Sequence, residues 1–331
     1  MKGCIGIVIA LCLFGCIKED PGPVDNTVHL AGFVTTPIVN ATGANPVASY
    51  WKDGAYSALV ADTIYSNVTS LHVDGSSVLI GGYRIINPTH QSVFWRDGNA
   101  TVIEEACCDP IVASRNNNLF GVWHGKTGGL WFHKNGTSQR IMDTAYNIGP
   151  TDLALLGDDM YISGCSVWHD GKPDSKTYQN AQCWKNGQLI FRESDNSNAM
   201  SIFIHQNDIY MAGYLHDLAS ATITPCYWKN GERVSLTGVS ANALSIFVTD
   251  SHVYVSGVMN NQAVYWKDGE LMVLSTPGPY SAANSIFVQG TDVHVGGVEH
   301  GHPAYWKNDV KQDIENQDKF GYVKFLVVGS N

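Results

Sequence analysis

Apolar and polar positions alternate in short runs along nearly the whole chain, and the runs are separated by Asn-Gly, Asp-Gly and Gly-Gly. "SIFV" at Ser285–Val288, "VHVGG" at Val293–Gly297 and "AYWK" at Ala304–Lys307 are representative. A period of two bounded by such dipeptides predicts strands joined by hairpins, because both central residues of the tight turn need a positive φ. A 3.6-residue period is nearly absent, so the pattern predicts an all-β protein.

The runs recur in a fixed order. "QAVYWKDGE" at Gln262–Glu270 is echoed by "YWKDG" at Tyr50–Gly54, "YWKNG" at Tyr227–Gly231 and "YWKN" at Tyr305–Asn308. Longer copies cover Thr69–Ile103, Ala199–Leu236, Ala243–Ser275 and Ala283–Asp309, with poorer ones at Leu153–Phe191 and Asn117–Ile141. The tryptophan slot is filled by Trp51, Trp95, His133, Trp184, Trp228, Trp266 and Trp306. Those six steps span 255 residues, about 42 each, which is the length of a four-stranded propeller blade. Within a unit, "SIFV" reads as the first strand, "VHVGG" as the second, "AYWK" as the third and "ELMVL" as the fourth.

The ends are complementary. "YVKFLVV" at Tyr322–Val328 is a first strand without a second, and "TVHLAGF" at Thr27–Phe33 is a second strand without a first. The prediction is a seven-bladed β-propeller of four-stranded antiparallel blades, filling residues 27–331 as one domain, its ring closed by the C-terminal strand joining the N-terminal blade.

The first 26 residues read differently. Met1-Lys2 is followed by an apolar stretch, Cys4–Phe14, too short for a membrane-spanning helix and suited to a signal peptide. "LFGC" at Leu13–Cys16 resembles a bacterial lipobox. That resemblance implies a signal peptide over 1–15, lipidation of Cys16, and a flexible tether over 16–26. "KED" after the cysteine resembles the surface-export signal of Bacteroidetes-type lipoproteins. It implies an outer-membrane lipoprotein exposed at the cell surface, with the membrane a partner through the lipid.

The repeat itself, A-x-Y-W-K-x-G with A-x-S-I and D-V-Y-V-x-G, resembles the tandem extracellular HAF repeats of secreted bacterial proteins. The resemblance covers nearly the whole mature chain. It implies a propeller outside the cell and no particular activity.

Charge and cysteines narrow the chemistry. The formal net charge is −10 and no run of Lys or Arg occurs, which excludes a nucleic-acid backbone as an expected partner. Of eight cysteines, Cys107, Cys108, Cys165, Cys183 and Cys226 remain in the folded part. In an oxidising compartment, Cys107 and Cys108 are candidates for a vicinal disulfide or for pairing elsewhere, and Cys165 with Cys183 for a bridge across a hairpin. His300 and His302 alternate in a tight loop without an acidic or histidine partner, so no metal is expected. No G-x-S-x-G or H-E-x-x-H occurs, no cofactor signature is present, and Asp158-Asp159 and Glu104-Glu105 read as turn and solvated-strand residues.

In a propeller, the first-to-second and third-to-fourth turns emerge on one face. Here that face is uniform. The second-to-third and fourth-to-first connections emerge on the other, and here they are irregular, including Thr35–Val47, Arg84–Gln91, Ser166–Asn180, Leu215–Pro225, "EEACCDPIVAS" and "STPGPYSAAN". Function tends to sit on variable loops carried by a rigid scaffold, so the irregular face is the expected ligand face. Trp168, His169, Tyr178, Tyr280 and Tyr146 are its aromatic candidates. Arg115, placed near the start of a first strand, is a candidate for an anionic ligand in the channel. The expected function is binding of a glycan, a nutrient or a protein. A polysaccharide hydrolase or lyase with its site at the channel mouth is the alternative, and a non-catalytic scaffold the third.

Overall fold

A computed structural model describes residues 26–37, 44–86, 88–126, 129–141, 147–169, 177–238 and 240–330. The expected signal peptide, Cys16, most of the expected tether and Tyr146 lie outside them. The described residues form twenty-eight strands in seven four-stranded antiparallel sheets. Six blades have their strands in chain order. In blade 1 the C-terminal strand, Gly321–Ser330, pairs with Asn26–Pro37 from Asn26↔Ser330 to Val34↔Gly321. The ring therefore closes as the complementary ends predict, and its innermost strands have no free edge. Blades 2 to 7 begin at innermost strands Tyr65–Asp74, Ala106–Arg115, Asn147–Leu156, Ser197–His205, Ala241–Val248 and Ala282–Gln289.

Each letter of the recurring phrase has a separate task. The tryptophan faces the preceding blade: Nε1 of Trp51, Trp228 and Trp266 donates to Glu315 O, Glu193 Oε2 and Thr237 O, each just beyond that blade's outer strand. The neighbouring tyrosine faces forward, as alternation requires, and Tyr265 Oη donates to Asp309 of the next blade at 2.8 Å. The lysine reaches back along its own blade. Lys185, Lys229 and Lys267 stand 5.2, 5.3 and 5.6 Å over the rings of Tyr161, Tyr210 and Tyr254. The Asp or Asn has φ near 50°, and its side chain accepts the N–H that opens the second strand, as with Val28 to Asp53, Val253 to Asp268 and Val293 to Asn308. Glycine follows with φ of 82–86° at positions 54, 98, 187, 231 and 269, a region that costs other residues dearly.

Blade 3 departs from the pattern. His133 holds the tryptophan slot, but a fully buried indole is still present, supplied by Trp123 of the second strand, its ring tilted against that of His133 at 5.4 Å between centroids. Seven buried tryptophans, one per blade, dominate the core: Trp51, Trp95, Trp123, Trp184, Trp228, Trp266 and Trp306.

Candidate functional site

Every innermost strand carries a β-bulge a little before its middle, at Lys324, Thr69, Thr151, Met200, Leu244 and Asn284; blade 3 has two irregularities, between Ala106 and Ile111. The bulge moves a carbonyl into the space beside the second strand. A methyl added to Gly82, Gly213, Gly257 or Gly297 would overlap the oxygen of Asn67, Asn198, Asn242 or Ala282. The glycine repeated in the second strands follows from that approach.

At four junctions the bulged residue also latches one blade to the next. Thr69 Oγ1 donates to Pro110 O, Thr151 Oγ1 to Ala199 O at 2.8 Å, Asn284 Nδ2 to Val323 O at 2.8 Å, and Lys324 Nζ to Val68 O at 3.4 Å. One residue later a side-chain oxygen accepts an N–H of the following blade: Ser70 from Val112, Ser285 from Leu326, and Asp152 from Ile202. Asp152 stands where those blades have serine. Burial pushes its pKa up, opposed by hydrogen bonds from Ile202 N, Leu153 N and the Ser201 side chain. One oxygen takes the latch bond from Ile202 N and the other accepts Leu153 N of its own strand.

The bulge ring divides the channel. Toward the uniform turns lies a cavity of about 530 Å³. Phe203, Phe247 and Phe287 line it side by side, with 4.6 Å between successive ring centroids, and Phe325, Leu71 and Leu153 also contribute.

Toward the irregular face, two aromatic groups flank a lysine. In the first, Phe33 lies 5.1 Å from Tyr322, which lies 6.4 Å from Tyr280. In the second, Tyr65, Tyr83 and His90 form a stacked row, with centroid distances of 6.3 and 4.9 Å. Lys324 Nζ lies 5.8 Å from the Phe33 ring and donates to the carbonyl of Val68, whose neighbour Asn67 is paired with Tyr83. Burial lowers the Lys324 pKa, and the carboxylate of Asp109 acts in the opposite sense. The same carboxylate acts on Tyr83 and on His124. Burial raises the Tyr83 hydroxyl to about 12, with Tyr65 adding to the shift, and burial lowers His124. The mouth thus joins flat aromatic surfaces to an amine, a carboxylate, a phenol and an imidazole.

The residues singled out from sequence fall in several places. Tyr280 is 43% exposed and belongs to the first aromatic group. Tyr178 lines a separate groove of about 470 Å³ between blades 4 and 5, with Asp195, His216 and Asp217. Trp168 and His169 are not loop residues: they end a long second strand, opposite Tyr178 and Thr177. Arg115 is the last residue of its strand, not near the first, and donates to Gly157 O at 3.3 Å on the uniform side. The strand begins at Ala106 because the bulges absorb Pro110, which made this stretch read as a loop. His300 and His302 bond to different carbonyls, those of Thr276 and Lys319.

The bridge expected between Cys165 and Cys183 is not formed. Cys165 faces Ala181 and Cys183 faces Ser163, so the two are diagonal neighbours, farther apart than a disulfide spans. Both are buried free thiols, with pKa values pushed by burial up to about 11 and about 12. Cys107 is half-buried in the blade 3 irregularity; the side chain of Cys108 is not among those described. Lys324 was missed by the sequence reading. Its signal was there: lysine in "YVKFLVV", at a position where the other blades carry Thr, Met, Leu or Asn.

No family model matches the chain, and no curated protein matches it. Solved structures do. A puromycin-hydrolyzing peptidase of Mycobacterium tuberculosis aligns over 75% of this chain and 46% of its own, at 12% identity and a TM-score of 0.51. A prolyl endopeptidase aligns over 92% and 50%, at 10% identity and a TM-score of 0.50. The β-propeller domain of the Trilobed protease from Pyrococcus furiosus aligns over 73% and 81%, at 12% identity and a TM-score of 0.46. The matched region is about half the length of the two larger peptidases. At these identities the likeness is one of fold alone.

Proposed function

We propose that this propeller is a membrane-tethered binding protein that captures a glycan at its irregular face. The observation that carries the reading is the pair of aromatic groups flanking the channel mouth, with Tyr65 39% and Tyr280 43% exposed. Sugar rings present apolar C–H faces between hydroxyls, and a flat aromatic beside fixed polar groups suits both features. The tether rests on the sequence alone: the lipobox-like "LFGC" would put a lipid on Cys16, and "KED" would direct the protein to the outer surface.

A specific observation supports a second reading. Tyr83, Asp109, Lys324 and His124 share the mouth, a set able to move protons, so a lyase or hydrolase acting on the same polysaccharide is the alternative.

One experiment addresses both. The soluble protein lacking residues 1–16 is screened against oligosaccharides while products are monitored. Saturable binding without product supports the binding reading, and turnover supports the enzyme. Absence of any oligosaccharide binding would remove both. Tyr65→Ala and Tyr280→Ala should each weaken binding by about 0.5–1.5 kcal/mol, the typical contribution of one aromatic contact.

A further inference from the structure

We infer that the glycan taken at the irregular mouth is acidic, and that a carboxylate or sulfate on it pairs with the Lys324 ammonium. The inference rests on the glycan reading above and specifies its chemistry.

Equivalent positions around the ring set Lys324 apart. At three other blade junctions the bulged residue performs the same latch, a donor to a carbonyl of the next blade, with a neutral side chain: Thr69, Thr151 and Asn284. A lysine is not needed for that bond. It makes it less well, at 3.4 Å against 2.8 Å for Thr151 and Asn284. What lysine adds is a positive charge and reach, at the one junction flanked by both aromatic groups.

That charge is poorly matched by the protein. Among the described residues, Val68 O is its hydrogen-bond acceptor and the Phe33 ring offers its π-face at 5.8 Å. No carboxylate of the described residues forms an ion pair with it, and Asp109 is the acid whose charge reaches it. The contrast within the chain is sharp: Lys185, Lys229 and Lys307, all at the uniform turns, each hold an aspartate within 3.0 Å. An amine partly removed from water, with its donors incompletely used, costs free energy unless a partner arrives. A ligand anion would supply the missing acceptor, and the rings of Phe33 and Tyr322 would hold the sugar that carries it. A chain with net charge −10 gains no long-range attraction for such a ligand, so the preference must come from this local contact.

The test uses matched pairs: oligogalacturonides against their methyl esters, and sulfated against desulfated oligosaccharides of equal length. Binding is measured by calorimetry with the protein lacking residues 1–16. The acidic member of at least one pair should bind about tenfold or more tighter than its neutral counterpart, the scale of one charged hydrogen bond. Which pair shows the preference separates carboxylate from sulfate. Lys324→Met should abolish the preference and leave weak binding of the neutral member, while Lys324→Arg should retain most of it. Equal binding of acidic and neutral members, or a preference unchanged in Lys324→Met, would overturn the inference and leave the glycan reading standing. No binding of any member would overturn both.

Discussion

Asp268 illustrates how much one residue of the phrase does. Its backbone takes φ of 50° at the turn, one carboxylate oxygen accepts Val253 N at 2.9 Å, and the other meets His252 Nδ1 at 2.6 Å. Asp268→Ala should cost about 1–3 kcal/mol, for the lost acceptor and the strained φ together, read by urea unfolding. Asp268→Asn keeps the acceptor and should cost less. Trp266→Ala removes a fully buried indole and should cost about 3–5 kcal/mol. Five histidines, His29, His72, His124, His133 and His294, have pKa values lowered chiefly by burial from 6.5. Below pH 6.5 the unfolded chain therefore binds more protons than the folded one. Stability should be full above about pH 7 and fall as pH drops through 6.5 toward the folded values. Thermal unfolding between pH 8 and pH 5 checks this, and a flat profile would contradict it.

The element that holds the ring shut is the C-terminal strand. Removing residues 321–331 leaves the second strand of blade 1 with an open inner edge and deprives Asn284 and Ser285 of their latch partners. The shortened chain should lose its single cooperative transition and aggregate on heating, monitored by calorimetry and light scattering. Blades 4 and 5 offer a separate check. Cys165, Cys183 and Cys226 are buried thiols raised to about 11 to 12, so a disulfide reagent should modify them only as the protein unfolds. Elements were legible in the sequence wherever turn chemistry was local. Asx-Gly fixes a hairpin within two residues, so blade number, strand order and ring closure could all be read. Ala106–Arg115 was not legible, because Pro110 looks like a loop residue until two irregularities accommodate it. The irregular connections also turned out shorter than they read, since second and third strands run on to Ile86 and from Thr89, and to Asp217 and from Thr222.

The whole molecule separates construction from the proposed recognition. The repeated phrase stitches blades and shapes the uniform turns, and the irregular mouth departs from it. Tyr280 could be picked out beforehand because it lies in an evident loop. Tyr65, Tyr83 and Phe33 sit inside strands and gave no such signal, and Lys324 showed only as a lysine where other blades carry Thr, Met, Leu or Asn. At this scale the proposed tether predicts that Cys16→Ser releases the protein from the membrane fraction, measured by fractionation and by metabolic labelling with palmitate. The most direct test of the account compares two variants for oligosaccharide binding by calorimetry. One carries Tyr65→Ala with Tyr280→Ala at the irregular mouth, and the other carries Lys185→Ala with Lys229→Ala at the uniform turns. The first should lose about tenfold or more in affinity, while the second should bind like the unaltered protein. Undiminished binding by the first variant, with loss confined to the second, would contradict the account.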